Sequence, residues 1–197
     1  MPLVPLFDFD GTLVDSDAAL IAPFLALGVE PGALPALGLP LVEACAQAGV
    51  TVEAYLERYD PSVAQPFPGV PELLAQLPRW GLASNKQRAS GHQELARLGW
   101  QPEVALFSDD FGGADKQVEP LLDRLGLPPA SVVFVGDTDH DRACAATAGV
   151  PFVLAGWNAR ARAGARPADH VLHHPRDLLP VLARIGHHGP SRSEEAR

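Results

Sequence analysis

Leu6-Phe7-Asp8-Phe9-Asp10-Gly11-Thr12 is the stretch on which the reading of this chain turns. It closes a short apolar run, Leu3–Phe9, whose β-branched and aromatic residues predict a buried strand. Side chains alternate along a strand, so Asp8 and Asp10 share a face while Phe7 and Phe9 point the other way. Open α/β sheets bind ligands at the carboxyl ends of their strands, and both carboxylates sit there. Two like charges this close are costly unless a cation lies between them or one is protonated. For the heptapeptide alone, a solvated Asp turn completed by Gly11 is the plain alternative.

Four further runs of this kind follow, at Gly81–Ser84, Val104–Ser108, Val132–Gly136 and Pro151–Ala155. Between them lie stretches with helical spacing, marked by Ala89, Leu95 and Leu98, by Leu121, Leu122 and Leu125, and by Arg142–Ala148. Strands alternating with helices predict an α/β fold whose parallel sheet is covered on both faces. A sixth short run, His170–Leu172, leads to a helix with Leu178, Leu179, Leu182 and Ile185 on one face and Gly186 as its stop.

Residues 15–67 break the alternation. They show no clear strand, only helix-like pieces near Ser16–Leu27, Leu41–Ala48 and Val52–Tyr59. Ser16 and Thr51 are the expected N-caps, and Gly28 and Gly49 the expected stops. The predicted organisation is a core of residues 1–14 and 68–186, a helical insert of residues 15–67, and a polar, aperiodic tail, 187–197, expected to be disordered.

A second acidic cluster, Gly136-Asp137-Thr138-Asp139-His140-Asp141, ends the fourth run. If the next helix starts near Asp139, Asp137 and Asp141 face the same crevice as Asp8 and Asp10. Acids there are also ordinary helix caps. Two carboxylate clusters at strand ends together make a hard-oxygen site of the kind Mg²⁺ prefers. Ser84-Asn85-Lys86 places a hydroxyl and backbone amides where a helix begins, a geometry that cradles anions. Lys116 follows the third run and precedes a helix; by itself it reads as a solvated lysine.

Composition narrows the partners. The 197 residues are 47% hydrophobic and 20% charged, a globular balance, with a net charge of −9. Residues 1–150 carry 8 basic and 20 acidic side chains, and none of the basic ones precedes Arg58. Such a field repels nucleic acid polymers and anionic lipid, so neither is an expected partner. No apolar stretch reaches the ~18 residues of a membrane span. The opening MPLVPLFDFDG has no positive segment before its apolar run, so no secretory leader is expected there. Two cysteines, Cys45 and Cys144, cannot build a disulfide framework and point to a reducing compartment, the cytoplasm.

Taken in order, Asp8-Phe9-Asp10-Gly11-Thr12, Ser84, Lys116, and Gly136-Asp137-Thr138 with Asp141 resemble the four motifs of the haloacid dehalogenase superfamily. The resemblance runs from Leu3 to about Ile185. Phe67-Pro68-Gly69-Val70 and Ser84-Asn85-Lys86 are similar to the phosphoglycolate phosphatase-like branch. It implies a Rossmann-like three-layer α/β/α core with a small α-helical cap inserted after the first strand. It also implies a Mg²⁺-dependent phosphatase acting on a small phosphorylated metabolite. Asp8 would be the nucleophile that forms an aspartyl-phosphate, and Asp10 the acid and base. Ser84, Asn85, Gly11, Thr12 and Lys116 would contact substrate. Mg²⁺ would be held by Asp8, the Asp10 carbonyl and Asp137, with Asp141 on the metal side or orienting Lys116. The dehalogenase branch lacks a carboxylate at the position of Asp10, because a halide needs no proton, so Asp10 favours phosphoryl transfer. A phosphotransferase or phosphomutase using the same intermediate, and a non-catalytic phosphate-binding protein on the same fold, are the alternatives.

Two residues depart from the pattern: Pro5 falls in what should be a central strand, and Gln117 stands where this branch often has proline. The insert holds seven acids and one basic residue, Arg58, which is expected to pair with a neighbouring acid. A cap gripping a second anionic group would offer more positive charge, so a neutral or weakly polar leaving group is expected. Trp157, Cys144 and the His173-His174 and His187-His188 pairs read as packing or incidental features. Asp139, with Asp8, Asp10, Asp137 and Asp141, is expected to flank the metal site.

Overall fold

The computed structural model describes residues 2–112 and 115–185. Gly186 and the tail 187–197 lie outside the described residues, and so do Gly113 and Ala114. The first core strand, β1 (Val4–Phe7), leads into the two-residue β2 (Val14–Asp15). Helices α1 (Asp17–Ala26), α2 (Leu41–Ala48) and α3 (Val52–Leu56) follow, and β3 (Gln65–Pro66) returns the chain. The rest alternates: α4 (Val70–Leu74), β4 (Gly81–Ala83), α5 (Arg88–Leu98), β5 (Val104–Leu106) and α6 (Glu119–Leu125). Then come β6 (Val132–Gly136), α7 (Asp139–Thr147), β7 (Phe152–Leu154), α8 (Ala159–Ala163) and α9 (Leu178–Ile185).

The core sheet is parallel, with strand order β5-β4-β1-β6-β7. The chain leaves β1 to one side through β4 and β5, then crosses back to β6 and β7 on the other. That reversal at β1 opens a crevice at the carboxyl ends of β1 and its two neighbours, where such sheets bind ligands. Alternation along each strand sorts the core into two layers. Phe7, Val133, Val135 and Leu82 pack with Leu73, Leu95, Leu178 and Val181 from α4, α5 and α9. Val4, Leu6, Val132 and Phe134 pack with Leu121, Leu122, Leu125 and Ala145 from α6 and α7. Helices therefore cover both faces, the three-layer α/β/α arrangement.

Pro5 is tolerated for a local reason. The Asp8 amide donates to the Val135 carbonyl at 2.9 Å, so even-numbered amides of β1 point at β6 and odd-numbered ones at β4. Pairing with β4 begins only at Leu6, opposite Gly81. The missing N–H of Pro5 thus faces the side where no ladder has started.

In the insert, α2 spans Leu41–Ala48 as expected, and Gly49 ends it in the left-handed conformation at φ 68°. Thr51 caps α3 by accepting from the Ala54 amide at 3.2 Å. Gly28, at φ 84°, follows the end of α1 as expected. Other details differ. Ser16 does not cap α1: its backbone is already helical, where an N-cap is extended, and its buried side chain makes no cap bond. Helix α3 stops at Leu56 and continues as turns to Tyr59, with Asp60 held out of helix by Pro61. The segment is not free of strands, because β2 and β3 pair antiparallel, Val14 with Pro66 and Asp15 with Gln65. They tie together the two crossings between sheet and insert. His170–Leu172 contributes a single bridge, Val171 to Leu154. Phe24, Ala44, Cys45 and Tyr55 form a small apolar cluster of the insert's own.

Candidate active site

Asp8 and Asp10 follow β1, Ser84 follows β4, Lys116 lies after β5, and Asp137 follows β6. The sheet order thus brings residues from four strand ends to one edge. Asp8 is buried, and its Oδ1 accepts from Lys116 Nζ at 2.5 Å. The same ammonium lies 2.5 Å from Asp141 Oδ1. Asp141 also forms the capping box of α7 with Thr138: its Oδ2 accepts from the Asp137 and Thr138 amides and from Thr138 Oγ1. The two readings of Asp141, helix cap and site residue, therefore both hold. Asp137 accepts from Thr12 Oγ1 at 2.9 Å and from Arg160 Nη2 at 2.6 Å.

Oxygens of Asp8, Asp137 and Asp141 all lie within 4.8 Å of one another. Burial pushes Asp8 well above the usual carboxylate range; Lys116 opposes this, while Asp141 and Asp137 add to it. Asp137 is pushed up to about 7, first by burial and then by Asp141, against the pull of Arg160 and Thr12. Burial also acts to raise Asp141, but Lys116 and Thr138 outweigh it and hold it low. Burial disfavours the Lys116 charge, yet Asp141 and Asp8 hold it firmly as an ammonium. Crowded hard oxygens, with the proton affinity of Asp8 and Asp137 raised, suit a small divalent cation, so the residues present fit Mg²⁺.

The loop carrying Asp10 is held by its neighbours. Gly11 sits at φ 80°, and a Cβ there would lie 2.3 Å from Asp137 Oδ2, so only glycine fits. Its carbonyl accepts from Asn158 Nδ2, and the Thr12 carbonyl from Trp157 Nε1, each at 2.8 Å. Trp157 is thus a brace for this loop. Ser84 is buried, and its Oγ accepts from the Lys86 amide at 3.2 Å. Asn85 joins two parts of the site: its Oδ1 accepts from the Lys116 amide at 2.7 Å, and its Nδ2 donates to the Gly38 carbonyl of the insert at 2.8 Å.

Four charged or polar residues at this edge received no role from the sequence. Lys86 Nζ donates to both Asp10 oxygens, at 2.9 and 3.0 Å, and to Tyr59 Oη at 2.9 Å, and it pairs with Glu94 at 2.9 Å. Tyr59 Oη in turn donates to Glu94 Oε1. Burial works against the Lys86 charge, but Asp10, Tyr59 and Glu94 outweigh it and keep it an ammonium. Arg160 links Asp137 to Asp17 of α1. A signal existed for Glu94: it stands three residues after Gly91 and beside Leu95 on the buried stripe of α5. Lys86, Tyr59 and Arg160 meet their partners across long sequence separations and carry no local signal.

Asp139 does not join the site. It is exposed and pairs with Arg142 and Arg166 on the outer surface. Arg58 pairs with Glu57 at 3.6 Å, as expected. The Cys144 thiol donates to the Lys116 carbonyl, and the His174 amide donates to Asp177 in a capping box. His187-His188 lies outside the described residues. Among the described residues no helix is long and apolar enough to cross a membrane.

A parallel sheet with a buried Asp nucleophile candidate, a paired lysine and a carboxylate cluster at its switch point defines a class of hydrolase. Residues 5–155 match the haloacid dehalogenase-like hydrolase family, and the chain belongs to it. It is a phosphatase of the phosphoglycolate phosphatase-like kind within that family. A phosphoglycolate phosphatase of Xanthomonas campestris is 31% identical over 189 residues, covering 81% of this chain and 85% of the relative. An N-acetylmuramic acid 6-phosphate phosphatase of Pseudomonas aeruginosa is 28% identical, covering 91% of this chain and 94% of the relative. Among solved structures, a haloacid dehalogenase-like hydrolase of Streptococcus pneumoniae shares the fold with a TM-score of 0.71 at 22% identity, covering 91% of this chain and 98% of that one.

Proposed function

We propose that the chain hydrolyses a small phosphomonoester with Mg²⁺, through an aspartyl-phosphate on Asp8. The supporting observation is Asp8 itself: buried, bonded to Lys116, within 4.8 Å of Asp137 and Asp141, and open to a cleft shared with Ser84. A carboxylate oxygen of Asp8 attacks phosphorus as the bond to the leaving oxygen breaks, and that oxygen takes its proton from Asp10, which must bind one beforehand and give up one of its two bonds to Lys86. Water then attacks phosphorus, Asp10 takes its proton, and the bond to Asp8 breaks to release inorganic phosphate. Lys116, fixed by Asp141, offsets the negative charge that accumulates between carboxylate and phosphate. Ser84 Oγ accepts from the Lys86 amide and keeps its own proton to donate to a phosphoryl oxygen. Asp8, the Asp10 carbonyl and Asp137 would hold Mg²⁺, which would supply neutralisation of the charge on the reacting phosphate. Asn85, Gly11 and Thr12 shape the phosphate site by holding Lys116, the insert loop and Asp137 in place.

In this reading residues 1–14 and 68–186 carry the chemistry, and residues 15–67 form a cap over it. The insert's own apolar cluster and the Asn85–Gly38 bond across the cleft support that division. Both cysteines are free, in keeping with a reducing, cytoplasmic location. The test is Mg²⁺-dependent phosphate release from an aryl phosphate by the wild type beside Asp8→Asn. The variant is expected to lose at least ~10³-fold in kcat. Activity retained by Asp8→Asn, or no release by the wild type, overturns the mechanism.

A further inference from the structure

The cleft above Asp8 has a floor and a wall of opposite character. The floor comes from the core and bears all of the cleft's charge: Asp8, Asp10, Lys86 and Lys116. The wall comes from the insert and is apolar, with Leu20, Ile21, Phe24, Leu37, Leu41 and Leu56 facing the space. None of the insert's seven acids lines it. Arg58, the insert's one cation, turns away to Glu57 and donates to the Ala54 carbonyl at 2.9 Å. The two tyrosine hydroxyls of the wall are occupied, Tyr55 donating to the Leu20 carbonyl and Tyr59 to Glu94. Neutral polar groups occur at the core rim, in Gln87 and Ser90.

We infer that the group leaving with the substrate oxygen is apolar, so that the substrate is a phosphomonoester of a small hydrocarbon alcohol. This rests on the phosphomonoesterase reading and narrows it. Each cleft lysine already serves two carboxylates: Lys86 serves Asp10 and Glu94, and Lys116 serves Asp8 and Asp141. A carboxylate or second phosphate on the leaving group would be desolvated against leucine side chains with no free cation. A polyol would give up its hydrogen bonds to water there for the same reason. A hydrocarbon gains instead, by about fourfold in binding for each methylene buried. The cleft offers about 90 Å³, room for several waters or for a short chain in their place. Leu56, more than a third exposed in a protein with few such residues, is covered when a chain lies in the cleft.

The test is kcat/KM for phosphate release across n-alkyl phosphates from methyl to pentyl, whose leaving groups have nearly equal intrinsic reactivity. 2-Phosphoglycolate and glycerol 3-phosphate serve as charged and hydroxylated comparators, all at saturating Mg²⁺. The expected result is a rise of about fourfold per methylene, with pentyl phosphate at least ~10-fold above both comparators. Leu37→Arg, at a half-buried position of the wall, is expected to shift the preference towards 2-phosphoglycolate by ~10-fold or more. A flat series, phosphoglycolate ahead of the alkyl esters, or an unshifted preference in Leu37→Arg overturns the inference and leaves the phosphatase reading intact. Release from none of the esters overturns that reading itself.

Discussion

Lys116 lies 2.5 Å from both Asp8 and Asp141, and its side chain is almost fully withdrawn from solvent. Breaking a buried ion pair by removing one partner leaves the other charge desolvated and alone, which costs more than the pair contributes. Lys116→Met should therefore destabilise the metal-free protein by about 3 to 5 kcal/mol at neutral pH, measured by urea denaturation. Adding Asp8→Asn should recover part of that loss, since one carboxylate fewer is left unpaired; a double-mutant cycle with zero coupling would refute the pairing. Asp8, Asp10, Asp137 and Ser84 stand out in the sequence because each lies at or next to the end of an apolar run, whereas Lys116, well past Ser108 where its run ends, stands out only through the family resemblance. Lys86 is legible only as part of a tripeptide. Its ion pairs with Asp10, 76 positions earlier, and with Glu94 exist only once the sheet and α5 are assembled.

At the scale of elements, Gly91 lets α5 lie close against the end of β5. A Cβ on Gly91 would lie 2.1 Å from the Phe107 ring, which is fully buried beneath the helix. Gly91→Ala raises helix propensity by about 1 kcal/mol, but the methyl group must displace a packed ring. Overpacking of this kind costs about 1 to 3 kcal/mol, so the variant should be less stable than the wild type despite its better helix former. A urea midpoint at or above that of the wild type would show that the ring moves aside freely. The same contact shows why the strands were easier to read than the helices. β6, buried along its whole length, is a continuous apolar run and matches its expected span, Val132–Gly136. Helix α5, Arg88–Leu98, is mostly polar, and its buried face is a glycine, a glutamate and a leucine. The β2–β3 ribbon has only two residues a side, too few for any alternation to show.

At the scale of the whole molecule, the net charge of −9 is partly stored where it is least comfortable, in carboxylates buried at one sheet edge. Asp137 binds its proton up to about pH 7 in the folded chain, against an ordinary value of 3.8. Below about pH 4 it is protonated folded and unfolded alike. Between about pH 4 and 7 the folded state holds a proton that the unfolded state has lost, so stability falls as pH rises through this window. Asp139, Asp141 and Asp169 are held low and act in the opposite sense, their contribution being lost as pH falls below the ordinary carboxylate value. Mg²⁺ needs the deprotonated carboxylates, so under the proposed mechanism it competes with the proton on Asp137. Its stabilising effect, about 2.7 kcal/mol at a hundredfold excess over Kd, should be suppressed at pH 5 and grow as pH rises through about 7. Melting curves with and without Mg²⁺ at pH 5, 6, 7 and 8 read this directly, with a shift that widens towards pH 8. Asp137→Asn should lose most of the Mg²⁺-induced shift at every pH and lessen the proton-linked fall in stability, to which the raised Asp8 also contributes. A shift that is independent of pH in the wild type, or one that survives in Asp137→Asn, would place the cation elsewhere.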